Sequence, residues 1–178
     1  MLVENLFGGD GFDFCDQGPS VSAAIVQEVL LGAGFNGKDD FVEFYVRNNG
    51  GYFNGEAYFY RDIFFDLAPG DFDSMEVEGF YYIGEKYFDE SEVNLRSAEK
   101  VRGLRAKYSE RRDRFCRTHF PFAGDAGDND FWIDVGTGEV KYVLWESEGD
   151  VDDVVSIAPT FSDFVNNIVP RRRTVQLD

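Results

Sequence analysis

Histidine is almost missing from this chain: His119 stands alone among 178 residues. Cysteine is nearly as scarce, with Cys15 and Cys116 and no C-x-x-C pair. A Ser-His-Asp or Cys-His site would have to run through His119, with Cys116 three residues away. Nothing around either residue resembles a nucleophile elbow or a protease signature. A zinc site of cysteine and histidine lacks its ligands. Two cysteines build no disulfide scaffold, and free thiols in a reducing compartment are the simplest reading. Long apolar runs are also missing, which excludes a bilayer-spanning helix. The first twenty residues, MLVENLFGGDGFDFCDQGPS, have no basic start and no long apolar centre, so they do not read as a secretory signal. The expectation is a cytoplasmic protein with no cofactor, no metal and no catalytic residue.

Positive charge is in short supply: 17 basic residues face 34 acidic ones, a formal net charge of −17. Such a surface repels nucleic-acid phosphates and anionic headgroups, and it attracts a basic protein. The imbalance is uneven. Residues 1–95 hold 19 acids and four bases, and residues 118–170 hold 11 acids and one base. Residues 96–117 reverse the sign with nine bases against three acids. Arg102, Arg105, Arg111, Arg112 and Arg114 could meet phosphates, but the rest of the molecule opposes that approach. Pairing with the chain's own carboxylates, or solvation, is the better account of this segment.

What the chain does have is apolar bulk: 43% hydrophobic residues, 19 of them Phe. That suffices for one domain with a sizeable core. Residues 1–19 read as a Gly/Asp-rich arm, 20–170 as the domain and 171–178 as a basic tail. Ser20 or Ser22 caps a helix running to about Leu31. Phe41, Phe44, Tyr45 and Asn48 lie on one helical face, and Asn49 and Gly50 suit the left-handed conformation that ends a helix. The aromatic stretch from Tyr52 to Phe88 predicts two or three antiparallel strands through Ala57–Tyr60, Ile63–Phe65 and Phe80–Ile83, its rings packing in the core. Asp89 to Arg117 predicts one long basic helix, with Asp89 and Glu92 as a capping box.

Downstream, Phe131, Ile133 and Val135 alternate with Trp132 and Asp134, as in a strand with one buried face. Gly136 to Glu139 supplies a turn, and Val140, Tyr142 and Leu144 alternate in the returning strand. Val154 to Ile157 forms a short apolar strand. Thr160 or Ser162 caps a last helix whose face carries Phe161, Phe164, Val165 and Ile168.

Taken in order, Asn49-Gly50-Gly51, Gly127-Asp128 through Asp134, Gly138-Glu139-Val140 with Trp145-Glu146, and Thr160 through Phe164 resemble the SUKH superfamily. The resemblance covers roughly residues 20–170 and implies an α+β fold. That fold has a twisted, mainly antiparallel sheet, N-terminal helices and a closing C-terminal helix, with the basic helix inserted. It also implies an immunity protein, made beside a secreted polymorphic toxin, that binds the cognate toxin and occludes it without catalysis. The alternative is a non-catalytic regulatory interaction module like the fungal cell-wall synthesis regulators of the same superfamily. The oligomeric expectation is a monomer or weak homodimer.

Asp125, Asp128, Asp130 and Asp134 form the sharpest carboxylate cluster. The spacing lacks the ligand pattern of a calcium loop, so a solvated turn or a binding patch is the better reading. The expected contact surface is Asp125, Asp128, Asp130, Trp132, Trp145 and Glu146, with Tyr52 beside them. Its carboxylates would pair with Arg or Lys of the partner while the indoles supply buried area. Both tryptophans could equally be core. On the contact reading, changing the three loop aspartates to Asn weakens binding and spares stability.

Overall fold

The computed structural model describes residues 12–31, 33–89, 91, 93–145 and 153–170. After a two-residue strand, β1 (Phe14–Cys15), Ser22 caps α1 (Ala23–Val29) by accepting from the Ile25 amide. The second helix, α2 (Lys38–Arg47), carries Asp39 and Asp40 in its first turn and Arg47 in its last, as the helix dipole favours. Phe41, Phe44 and Tyr45 on this helix are fully buried. The helix ends at Asn48, and Gly50 has φ +78°. A Cβ at Gly50 would lie 2.7 Å from the Phe80 carbonyl oxygen, so both the conformation and the space require glycine.

Asn49 plays a different part from the one expected. It does not take the left-handed conformation. Its buried side chain instead donates to the Pro19 and Ile83 carbonyls and accepts from the Ile83 amide at 2.8 Å. One amide side chain thereby ties the segment just before α1 to the backbone at Ile83.

The sheet then builds outward by antiparallel pairing. β2 (Gly51–Phe53) lies between β1 and β5 (Gly79–Phe80). β6 (His119–Gly124), β7 (Asp130–Asp134), β8 (Val140–Leu144) and β9 (Asp153–Ala158) follow, giving the order β1-β2-β5-β6-β7-β8-β9 among the described residues. β3 (Tyr58–Tyr60) and β4 (Ser74–Glu76) form a separate two-stranded ribbon. Ile63 to Phe65 is not a strand: Arg61–Ile63 makes a single 3-10 turn held by Arg61. Six rings of the aromatic stretch, Phe53, Phe59, Tyr60, Phe80, Tyr81 and Tyr82, are core, whereas Phe72 and Tyr87 are exposed.

The closing helix α5 (Phe161–Asn166) is capped by Thr160, which accepts from the Asp163 amide, not by Ser162. Ser162 donates instead to the nearly buried Asp40 on α2. Phe161 and Phe164 pack edge-on against Phe41, Phe44 and Phe122, so α2 and α5 cover one face of the sheet.

The single long helix expected over 89–117 is two helices. α3 (Ala98–Ala106) begins after Ser97 and α4 (Glu110–Thr118) after Ser109, each serine accepting from the amide three residues on. Ser109 sits extended at φ −161°, and that break outweighs the continuous helical spacing of the apolar residues. The Arg96 carbonyl accepts from Tyr82 and the Ala98 amide donates to the Tyr82 carbonyl, so the preceding segment runs beside the chain after β5. Glu92 lies outside the described residues.

The helix pair explains a second departure. β7 is buried on both faces, with Phe131, Trp132 and Ile133 all without exposure. Phe131 and Ile133 join the main core, while Trp132 packs with Cys116 and Val143 under Phe115 and Ala106. A strand with one solvated face was expected, because the sequence does not reveal that α3 and α4 fold over the other.

Candidate functional site

The loop joining β6 to β7 carries the aspartates singled out above, and each does something different. The Asp125 carboxylate turns back into the loop. Its Oδ1 accepts from the Gly127 and Asn129 amides at 2.8 and 2.9 Å, and its Oδ2 accepts from the Asn129 side chain and the Tyr142 hydroxyl. Asp125 therefore shapes the turn. Asp128 takes φ +63°, a conformation aspartate tolerates better than most residues. That leaves its side chain 61% exposed.

Asp130 is wholly buried. It accepts from the Tyr81 hydroxyl at 2.5 Å, from the Arg105 Nε at 2.7 Å and from the Trp145 indole N–H. Arginine and indole can only donate, so the Asp130 Oδ2 that Arg105 and Trp145 share acts as an acceptor. Burial pushes its pKa up, opposed by Arg105 and then by Tyr81 and Trp145. Burial disfavours the Arg105 charge as well, but the Asp130 and Asp128 carboxylates together outweigh it and hold the guanidinium above its ordinary value. The two directions reflect one ion pair removed from water, with the Tyr81, Arg105 and Trp145 hydrogen bonds offsetting part of the cost of burial.

Asp130 and Trp132 thus cannot meet a partner as expected, since neither reaches the surface. Trp132 makes edge-on contacts with Phe115 and Trp145, and its indole nitrogen has no hydrogen-bond partner among the described residues. Trp145 is half-buried. Arg105 and Arg112 lie over its ring at 5.1 and 4.7 Å, and Arg112 also covers the Tyr108 ring at 4.8 Å. Glu146 lies outside the described residues. Tyr52, half-exposed on β2, lines a small cleft with Arg96 and Asp125.

What gathers these residues is the basic segment. Arg105 Nη2 donates to the Asp128 carbonyl at 2.7 Å while its Nε holds Asp130. Arg96 Nη1 reaches Asp128 at 2.8 Å. Burial alone would raise the Asp128 pKa, but the two guanidiniums outweigh it and hold the carboxyl below its usual range. Between the 93–97 segment and α3 opens a groove of about 630 Å³. Arg96, Lys100, Arg105 and Asp128 line it together with Val93, Leu95, Val101 and Leu104. Leu104 in the last turn of α3 and Tyr108 in the bend that follows it stand 52% and 75% exposed at its rim. The sequence revealed the change of sign here, but not that the bases and aspartates meet in one place.

His119 begins β6 and stacks on Phe115 at 3.9 Å between ring centres. Its Nδ1 lies 3.1 Å from the Phe115 carbonyl, and burial lowers its pKa. Cys116 is buried beside Trp132, where loss of water pushes its thiol up to about 11. Among the described residues no three His, Cys, Asp or Glu side chains are grouped to hold a metal ion, and no helix is long and apolar enough to cross a membrane.

Compared with known proteins, residues 34–167 match the family described as SMI1 / KNR4 family (SUKH-1). No curated protein and no solved structure matches the chain. The matched span begins just before α2 and ends just after α5, enclosing the N-G-G turn, the β6–β7 loop and the groove.

Proposed function

The chain belongs to the SMI1/KNR4 family (SUKH-1), and from that premise we propose that it is an immunity protein which binds one cognate toxin domain and blocks it by occlusion. It acts by contact and turns over no substrate. The observation that carries this reading is the exposed two-signed surface at Asp128, where Arg96, Arg105 and the carboxylate are locked together beside projecting Leu104 and Tyr108. Aromatic and arginine anchors beside a rigid charged pair have the make-up of a protein-binding hot spot.

The net charge of −17 supports a partner with a basic cleft, such as a toxin that acts on nucleic acid. The acidic faces would steer such a partner in and occupy the place of its phosphate substrate. The test is to mix the purified chain with the toxin domain encoded beside it, and to follow both stoichiometry by calorimetry and toxin activity. One-to-one binding with loss of toxin activity is expected. A chain that binds no such domain, or binds it and leaves it active, refutes the proposal.

A further inference from the structure

The connection from β3 to β4 runs over residues 61–73, far longer than the roughly two to five residues a hairpin needs. It leaves an apolar face open. Ile63 and Phe72 are 41% and 40% exposed, and Phe65 and Leu67 between them in the chain are only part-buried. Phe72 lays one side of its ring on Tyr142, 5.6 Å away between centres, and the rest of the ring meets solvent. Tyr142 donates in turn to Asp125, which shapes the loop carrying Asp128. The face therefore adjoins the two-signed surface at Asp128.

Arg61 holds this loop in place. Its amide donates to the Asp73 carbonyl, its Nη1 to the Phe72 carbonyl and its Nε to the Ser156 carbonyl on β9, each at 2.9 Å. Its guanidinium also lies over the Phe65 ring. Arg61 is the only base between Arg47 and Lys86, and it is committed to these backbone acceptors. Lys141 points to the other side of β8 from Tyr142 and is paired with Glu139. The acids around the face are not so engaged. The side chains of Asp66 and Asp73 are exposed, with no hydrogen-bond or ion-pair partner among the described residues. Asp71, also exposed, gives one oxygen to the Ala68 amide. A guanidinium meets here both groups that suit it, an open aromatic ring and the carboxylates on either side of it in the chain. A phosphate or an acidic segment is repelled by the same carboxylates.

We infer that the loop over residues 61–73 is a docking face for an arginine-bearing segment of the protein partner, one in which an apolar side chain sits beside the arginine. The guanidinium lies on the open side of Phe72 and pairs with Asp71 or Asp73, and the apolar side chain covers Ile63. This rests on the reading of the chain as a protein-binding immunity protein, and it adds where a basic partner is gripped. Net charge alone steers such a partner without orienting it. An apolar face rimmed by carboxylates, and fixed in advance by Arg61, selects one orientation.

The test uses the isotope-labelled chain at about 0.15 M salt, where distant charges are screened. Two nine-residue peptides are compared, one with a central Leu flanked by Arg and one with the same Leu flanked by Glu. The Arg peptide is expected to shift the backbone amides of residues 61–73, and the Glu peptide to leave them in place. Asp66→Asn combined with Asp73→Asn should weaken the Arg peptide about fivefold, and Ile63→Ala about threefold, with amide spectra and melting otherwise unchanged. Silence of the loop toward the Arg peptide overturns the inference. So do shifts of equal size at acidic residues over the whole surface, which would show attraction to net charge alone. If Arg171→Gln, Arg172→Gln and Arg173→Gln together move the loop amides with no peptide present, the chain's own tail occupies the face and the inference also fails. Toxin binding separates this from the broader proposal. If the toxin binds wild type and the Asp66/Asp73 double variant equally well while the Arg peptide is silent, the docking assignment fails and the immunity reading stands. If no toxin binds but the Arg peptide shifts the loop, the immunity reading fails and the docking assignment stands.

Discussion

Asp128 and Asp130 sit two residues apart and have opposite electrostatic fates. The pKa of Asp128 is depressed, so its ionised form stabilises the fold above the ordinary value of 3.8, and that contribution is lost as pH falls through the folded value. The pKa of Asp130 is raised by burial, so its own ionisation opposes folding as pH rises above 3.8, although its partners cannot do without it. Asp130→Asn is expected to cost about 3 kcal/mol in urea unfolding at neutral pH, because it strands the Arg105 charge. Asp128→Asn is expected to cost about 1 kcal/mol or less, its ion pairs being exposed, and to flatten the fall in melting temperature between about pH 5 and pH 3. Equal losses at neutral pH would mean that the Arg105–Asp130 pair is not the anchor described here. The two thiols differ in the same way. Cys15 is exposed, whereas Cys116 is buried with its thiol held near 11. One equivalent of a disulfide reagent should react with the native chain at pH 8, and the second after unfolding. Rapid reaction of both would show that α4 does not stay closed over Trp132.

At the scale of elements, the joints carry the specificity. Ser97 and Ser109 start separate helices where spacing alone suggested one, and the bend lets α4 lie over Trp132 while α3 forms the groove. Ser109→Ala should destabilise the chain by about 1 kcal/mol by removing the cap of α4. Gly50→Ala should cost about 2 kcal/mol or more, since the left-handed backbone and the Phe80 carbonyl both oppose a methyl group. Thermal melts of the two variants check both values. A harmless Gly50→Ala would mean that the N-G-G turn relaxes freely.

Over the whole molecule, the charge of −17 is a statement about encounter more than about affinity. Association with a toxin whose cleft is basic should slow by roughly tenfold or more when ionic strength is raised from about 0.05 to 0.5 M, with dissociation changing far less. Stopped-flow mixing at the two salt concentrations measures this, and a flat on-rate would rule out steering. Within the basic segment, Arg96, Arg105 and Arg117 are each paired with aspartates of the chain itself, as the distribution of charge along the sequence suggests.

The sequence by itself determined the class of fold, the α2 helix and its N-G-G stop, the hairpin at 130–144 and the capped closing helix. In each of these the signal is local: spacing, a capping hydroxyl or a turn glycine acts within a few residues. It also determined the surplus of negative charge, which folding cannot change. Only the tertiary structure decided which carboxylates face solvent. Asp125, Asp128 and Asp130 look alike in a row, but one closes a turn, one is held at the surface and one is buried, because Tyr81, Arg105 and Trp145 arrive from distant parts of the chain. The groove arose in the same way. Burial and ion pairing depend on which elements pack against one another, and a linear pattern of charges does not specify that.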